Sequence, residues 1–321
     1  MRFRTIGRLC VAAALLGLGT ARAAYPDKPV RIVVPNPPGG AVDVVTRKVA
    51  QKLTEQTGQS FVVENKPGAS GTIGTMQVVN APADGYTLLA NDNSYTTLPY
   101  VFRKLNWDHE KALTPIAPFA FSPVVVAVKA DGRFKDLTAL VSYARAHPGQ
   151  VTFGTGGAGS SPHFAAEAFQ QAAGIKLMHV PYKGAGEAMV GLLSGSVDMV
   201  VVSTPSVLGP VKGNQMRLLG ISGKRRAEAF PDVPTFAEAG VPGFSLFNWS
   251  GLAAPRGTPN DVIVKLHAEL QKAMQAPDMR AFLAQMGSQP GHLDSAAFAQ
   301  LIARETAQWA TVARDAHLEK Q

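Results

Sequence analysis

From residue 30 onward the chain alternates short β-branched runs with stretches whose apolar positions recur at helical spacing. Val30-Arg31-Ile32-Val33-Val34 reads as a strand buried on both faces, 42–57 as an amphipathic helix closed by Gly58, and 61–64 as a second strand. A helix at 72–80 and a strand at 86–90 complete a β-α-β-α-β run. Further strands are expected at 124–128, 151–153, 178–180, 199–202 and 218–221, with helices at 137–146, 162–173 and 187–194 between several of them. Such alternation gives sheets covered on both faces by helices.

That many units exceed one compact core. The segment 115–123, with Pro115, Pro118 and Pro123, is the expected crossing from one domain to another, and the turn-rich stretch 231–243 leads back to an apolar strand at 249–254. After Pro255-Arg256-Gly257-Thr258-Pro259 the pattern is helical, at 261–275, 279–286 and 295–316. Helices without strands of their own should cover the N-terminal sheet. The expected fold is α/β, two lobes joined by two crossovers around a cleft, with 25–122 and 248–321 in the first lobe and 123–247 in the second.

Composition changes the picture mainly at the N-terminus. The 321 residues carry a formal net charge of +8, but four of the cations are Arg2, Arg4, Arg8 and Arg22. They flank an apolar run, 9–19, that ends before Ala21-Arg22-Ala23, the pattern at which a signal peptidase cuts. Residues 1–24 are therefore expected to be a signal peptide, and losing its four arginines takes the mature chain from +8 to +4. The remaining cations are dispersed, which argues against nucleic acid as a partner. The single Cys, Cys10, goes with the leader, so disulfide scaffolds, thiol catalysis and thiolate metal sites are excluded together. Cys10 precedes the apolar run, whereas a lipidated Cys would follow it. The apolar run is shorter than the roughly 20 residues that span a bilayer. A soluble, exported protein in a bacterial periplasm is expected.

Three loops carry candidate chemistry. Pro35-Asn36-Pro37-Pro38-Gly39-Gly40 joins a strand to a helix start, where bare backbone N–H groups favour an anion; the plain alternative is a tight turn in which Asp43 complements the helix dipole. Asn65-Lys66-Pro67-Gly68-Ala69-Ser70-Gly71-Thr72 repeats that arrangement but lacks the P-loop pattern. Gly154, Gly156 and Gly159 match the G-x-G-x-x-G dinucleotide spacing. No carboxylate follows the next strand until Glu187, so an anion cradle at the helix starting near Pro162 is the simpler account. Catalytic patterns are thin, with no G-x-S-x-G elbow and no H-E-x-x-H. His163 and Glu167 share a helix face, which is more often a polar pair than half a metal site. Tyr95 and Tyr182 follow strand ends and are expected at the cleft.

The blocks YPDKPVRIVVPNPPGGAVD, VVENKPGASGTIGT, APADGYTLL, FGTGGAGSSPHFAAEAF, HVPYKGAGEAMVGLLSGSVDM and FPDVPTFAEAGVPGF occur in this order from Tyr25 to Phe244. They resemble the signatures of the Bug (Bordetella uptake gene) family, periplasmic substrate-binding proteins of tripartite tricarboxylate transporters. The resemblance implies a type II, Venus-flytrap binding protein that is no enzyme and needs no cofactor or metal. It implies a ligand that is a dicarboxylate, an amino acid or an aromatic acid, held by backbone amides and bridging waters. By position it assigns Pro38, Gly39, Gly40 and Asp43 to the first-lobe loop, Gly68, Ala69 and Ser70 to the loop after the second strand, and Thr155, Gly156, Ser160, Ser161 and His163 to the second-lobe loop. Tyr182 and Asp198 match positions near the cleft or hinge. Asn36 stands where the family usually has an aromatic residue, and its amide could reach the ligand; Asn91, Asn93, Ser94 and Thr96 could face the ligand's variable end. A monomer serving the membrane subunits of a carrier is expected. The competing reading is a secreted hydrolase acting on a carboxylate or ester, with Ser161 beside His163.

Overall fold

The computed structural model describes residues 25–320, so the leader read at 1–24 lies outside the described residues. In the first lobe β1 (Val30–Val34) runs parallel to β2 (Phe61–Asn65) on one side and β3 (Thr87–Asp92) on the other, with α1 (Ala41–Thr57) and α2 (Thr72–Val79) in the connections. α1 stops where Gly58 takes a left-handed φ of 72° and returns its N–H to the Thr54 carbonyl, a conformation that costs glycine nothing for want of a Cβ. β3 leads directly into a short helix, α3 (Ser94–Val101).

The first crossover is not a proline turn. Residues 115–123 lie inside one continuous strand, β4 (Leu113–Lys129), which at about 3.3 Å per residue spans roughly 56 Å. Its first part pairs antiparallel with the returning strand β9 (Phe247–Pro255), and β9 in turn pairs antiparallel with β3. The register shifts between Pro115 and Ala117 and between Pro118 and Ala120, so these two prolines fall at bulges, where a missing N–H is tolerated, and Pro123 is the last residue paired with β9.

Beyond Pro123 the same strand enters a second sheet, pairing with β7 (Met199–Ser203) on one side and β8 (Met216–Ile221) on the other. There β5 (Thr152–Thr155) runs parallel to β7 and to β6 (Met178–Pro181). The helices α4 (Leu137–Ala146), α5 (Ser161–Ala173), α6 (Ala185–Ser194) and α7 (Thr204–Lys212) cover this sheet. The helices α3 and α7, each with a proline inside, were not apparent in the sequence pattern.

Each sheet has its own apolar interior. Ile32, Val45, Leu53, Leu88, Phe119 and Leu266 belong to the first; Val126, Phe153, Phe169 and Phe236 pack on one face of the second, and Val125, Leu192 and Val200 on the other. The stretch 231–243 packs in the second lobe through Phe236 and Val241 before the chain reaches β9. Of the C-terminal helices, α8 (Asn260–Gln275) and α9 (Pro277–Gln285) cover the first sheet as expected. The last, α10 (Ser295–Asp315), goes further: Trp309 donates to Thr96 Oγ1 at 2.9 Å and packs edge-on against Phe164 of α5 at 5.6 Å, so this helix touches both lobes.

Candidate functional site

The carboxyl ends of β1, β3, β5, β6 and β7 converge on one cleft, the place where open α/β sheets bind ligands. It encloses about 790 Å³ counting its mouth, with about 110 Å³ admitting the centre of a water molecule, which suits a ligand of a few heavy atoms. The lobes meet across it. Ser70 Oγ donates to the Ala158 carbonyl at 3.0 Å, Thr97 Oγ1 to the Gly159 carbonyl at 2.6 Å, and the Ser161 N–H to Ser94 Oγ at 3.0 Å. The form described is closed.

Four helices begin at this cavity: α1 at Gly40, α5 at Ser160, α6 at Gly184 and α7 at Ser203. In none does the N-cap residue's own side chain bond the first turn, although the first N–H of α5, on Ser161, is taken by Ser94 Oγ. Of the helices that start away from the cavity, α4 and α10 are capped by Asp136 and Asp294 at 2.7 and 2.8 Å, whereas α2, α8 and α9 are not. Uncapped N–H groups and aligned peptide dipoles attract anions, by roughly 0.3 to 1 kcal/mol per helix and up to ~2 when partly buried. Among the described residues the cavity wall holds no Lys or Arg; its one ionisable side chain is Asp92.

Asn36, Pro38, Gly40, Ser94, Gly156, Ser160 and Ser161 line the cavity. Others named from the sequence sit behind it. Gly39 has φ 83° and donates to Asp43 Oδ2 at 2.9 Å; Asp43 is buried and also takes bonds from Asn65 Nδ2 and Arg47, each at 2.9 Å. Burial pushes the Asp43 carboxyl up, but the bonds from Arg47, Gly39 and Asn65 outweigh it and hold it below the usual range. Asp43 thus ties the first loop down from beneath. Gly68, Ala69 and Ser70 all have positive φ and form the turn from which Ser70 reaches the other lobe.

Thr155 and His163 support the second loop. His163 Nδ1 accepts the Gly159 N–H at 3.1 Å, its ring stacks on His179 at 4.0 Å, and His179 Nε2 meets Thr155 Oγ1 at 2.6 Å. Burial lowers His163 to about 3, helped by the neighbouring His179, and lowers His179 to about 4. Both rings are neutral at pH 7. His163 does not face Ser161, whose hydroxyl donates instead to Asn248 Oδ1 at 3.1 Å, so the dyad required of a hydrolase is not assembled.

Three expectations are corrected. Asp198 lies at the start of β7, away from the cavity, where it accepts from the N–H and hydroxyl of Thr152 and pairs with Arg133 at 3.0 Å. Tyr182 packs within the second lobe against Gly154 and Gly191. Tyr95 is buried in the first lobe, its hydroxyl on the His109 carbonyl at 2.6 Å and its ring stacked on His109. Asn93 is structural too, accepting from the Trp249 N–H and donating to Glu305, as is Thr96 beneath Trp309. The sequence reading missed Asp92, Asn248 and Gly184 as cavity residues. A glycine ahead of Ala185-Gly186-Glu187 was the one available signal, repeating the small-residue helix opening of the other loops.

Residues 45–318 match the sequence model of the tripartite tricarboxylate transporter family receptor. A protein encoded in the tcbD–tcbE intergenic region of Pseudomonas sp. strain P51 is 38% identical over 287 residues, 89% of this chain and 85% of its own. Among solved structures, Rpa4515 of R. palustris with adipate superposes with a TM-score of 0.88 at 30% identity, over 92% of this chain and 100% of that one. The periplasmic binding protein BugD gives 0.85 at 30% identity over 92% and 100%, and MatC of Rhodopseudomonas palustris with bound malate gives 0.84 at 30% over 90% and 100%. Sequence, topology and the closed two-lobe cleft agree, and the chain belongs to the family of tripartite tricarboxylate transporter receptors, solute-binding proteins of the periplasm.

Proposed function

We propose that this receptor captures a small organic carboxylate between its lobes and presents the closed form to the membrane subunits of a tripartite carrier. The observation that carries the reading is the cavity itself, with the uncapped starts of α1, α6 and α7 around it and no cationic side chain on its wall. A carboxylate there receives backbone N–H groups of the helix starts. Relatives caught with adipate and malate support the same class of ligand. Closure follows from differential affinity: the anion touches both lobes only when they meet.

The lobes are assigned as 25–122 with 248–321, and 123–247, with the changeover where β4 passes from the first sheet to the second and where the chain returns into β9. Export with loss of residues 1–24, and a monomeric mature protein, complete the proposal. Thermal shift over a panel of carboxylates tests it. A ligand at 100 times its Kd adds about 2.7 kcal/mol of stability and should be recovered unchanged, whereas turnover of a stabilising compound refutes the reading. Intact mass of the periplasmic protein checks the cleavage.

A further inference from the structure

Asp92 is out of place in a cavity suited only to an anion. It is more than nine-tenths buried, lies on the cavity wall, and forms no ion pair with any described residue. Its carboxylate is met by the Ser94 N–H at 2.9 Å and by the side chains of Ser94 and Asn248. Burial holds its carboxyl above the usual range. A second group on the same wall has no partner at all. The side-chain amide of Asn36 makes no hydrogen bond within the protein, and its Oδ1 is fully buried. Both residues also line a narrower recess that continues from the cavity past Ser94 toward Tyr95. A buried polar group without a partner costs about 1 to 3 kcal/mol; the unsatisfied Asn36 amide, beside a buried carboxylate that has hydrogen bonds but no cation, points to a partner that the protein does not supply.

We propose that this end of the cavity receives a hydrogen-bond donor of the ligand, so that the solute is a monocarboxylate bearing an ammonium or hydroxyl group. Its carboxylate sits at the helix starts and its donor is taken by Asp92 with Asn36. The inference rests on the carboxylate-binding reading above. Three ligand classes are distinguished by electrostatics. A plain alkyl acid leaves Asp92 dry and unpaired when the lobes close. A diacid brings a second negative charge to a buried carboxylate, at low effective dielectric, and is repelled unless a proton is taken up. An ammonium or hydroxyl group instead adds a donor to a carboxylate that has no cation beside it, and adds it only in the closed state. Hydrogen bonds to charged groups correspond to about 10- to 100-fold in affinity.

The test is titration calorimetry at pH 7.5 with chain-matched sets: butyrate, 4-hydroxybutyrate, 4-aminobutyrate and succinate, and the corresponding five- and six-carbon sets. In the chain length that fits, the hydroxy or amino member should bind at least tenfold more tightly than the unsubstituted acid and the diacid. Asp92→Asn should weaken an amino ligand 10- to 100-fold and a hydroxy ligand only a few-fold, which separates the two donors, and should strengthen the diacid. A diacid or unsubstituted acid that binds wild-type protein as tightly as the donor-bearing member overturns the inference and leaves carboxylate binding intact, as does an Asp92→Asn ranking identical to wild type. Failure of every carboxylate to bind overturns the functional reading and the inference with it. The wild-type ranking decides even if the variant does not fold.

Discussion

Gly184 offers a way to penalise lobe closure without disturbing either lobe. It stands ahead of α6 with φ 176° and ψ 167°, extended backbone that any residue adopts, so alanine meets no conformational penalty there. The three atoms nearest to an added Cβ all belong to Pro37, in the opposite lobe, at 2.9, 3.5 and 3.7 Å. Carbon atoms normally rest about 3.5 to 4.0 Å apart, so the lobes must give way by several tenths of an ångström. Overpacking of this kind costs about 1 to 3 kcal/mol, and the cost falls on the closed form alone. Ligand affinity includes the free energy of closure, so the Kd measured by calorimetry should rise about 5- to 150-fold, while the melting temperature without ligand stays close to wild type. Pro37→Ala removes the opposing ring carbon, and the double variant should recover most of the loss, a coupling that a double-mutant cycle reads directly. Gly159 cannot serve the same purpose, because its φ of 79° strains any side chain within its own lobe and a Cβ would strike Val101 as well. An unchanged Kd in Gly184→Ala, or a loss that Pro37→Ala fails to restore, would refute closure across this contact.

Three further outcomes are expected. Gly40→Val adds a side chain whose Cβ meets only the Pro37 carbonyl, at 3.7 Å; it should cost about 1 kcal/mol of stability as a poorer residue at the helix start yet abolish the carboxylate-induced thermal shift, and normal binding would remove the first loop from the anion site. Asp43→Ala leaves the Gly39 N–H and the Asn65 amide without their acceptor and should lower stability by about 1 to 3 kcal/mol, seen as a reduced denaturation midpoint together with weaker ligand binding. His163 and His179 have folded pKa values of about 3 and 4 against 6.5 when unperturbed; depressed values mean that the unfolded chain takes up protons first. Their contribution is therefore complete above pH 6.5 and is lost as pH falls toward 4, with a slope of up to ~1.4 kcal/mol per pH unit from His163 and less from half-buried His179. Melting curves from pH 7 to 4 should flatten in a His163→Gln, His179→Gln variant.

The parts of the molecule written in local pattern were legible from the sequence. Strand 30–34, helix 42–57 and the glycine loops declare themselves through periodicity and through residues whose backbone preferences are their own. Strand β4 was hidden because prolines such as Pro115, Pro118 and Pro123 usually end strands, and only pairing with β9, some 130 residues later, shows that two of them fall at bulges and the third at the end of that pairing. Asp198 and Tyr182 were misplaced for a related reason: position after or before a strand does not say which end of the sheet holds the cavity. Asp92 carried no signal at all, since an acidic residue at a strand end is ordinary until the fold buries it beside a ligand-sized space.

The strand shared by both sheets also constrains how such a receptor can diversify. Pro123 pairs with Phe247, so the chain leaves and re-enters the first lobe through hydrogen-bonded neighbours, β4 and β9, side by side. A pair of connections held together in this way belongs to the backbone, and any sequence that keeps the pairing keeps it. What descendants can alter freely is the handful of side chains that the lobes bring face to face, so the wall of the cleft can vary while the link between the lobes stays the same.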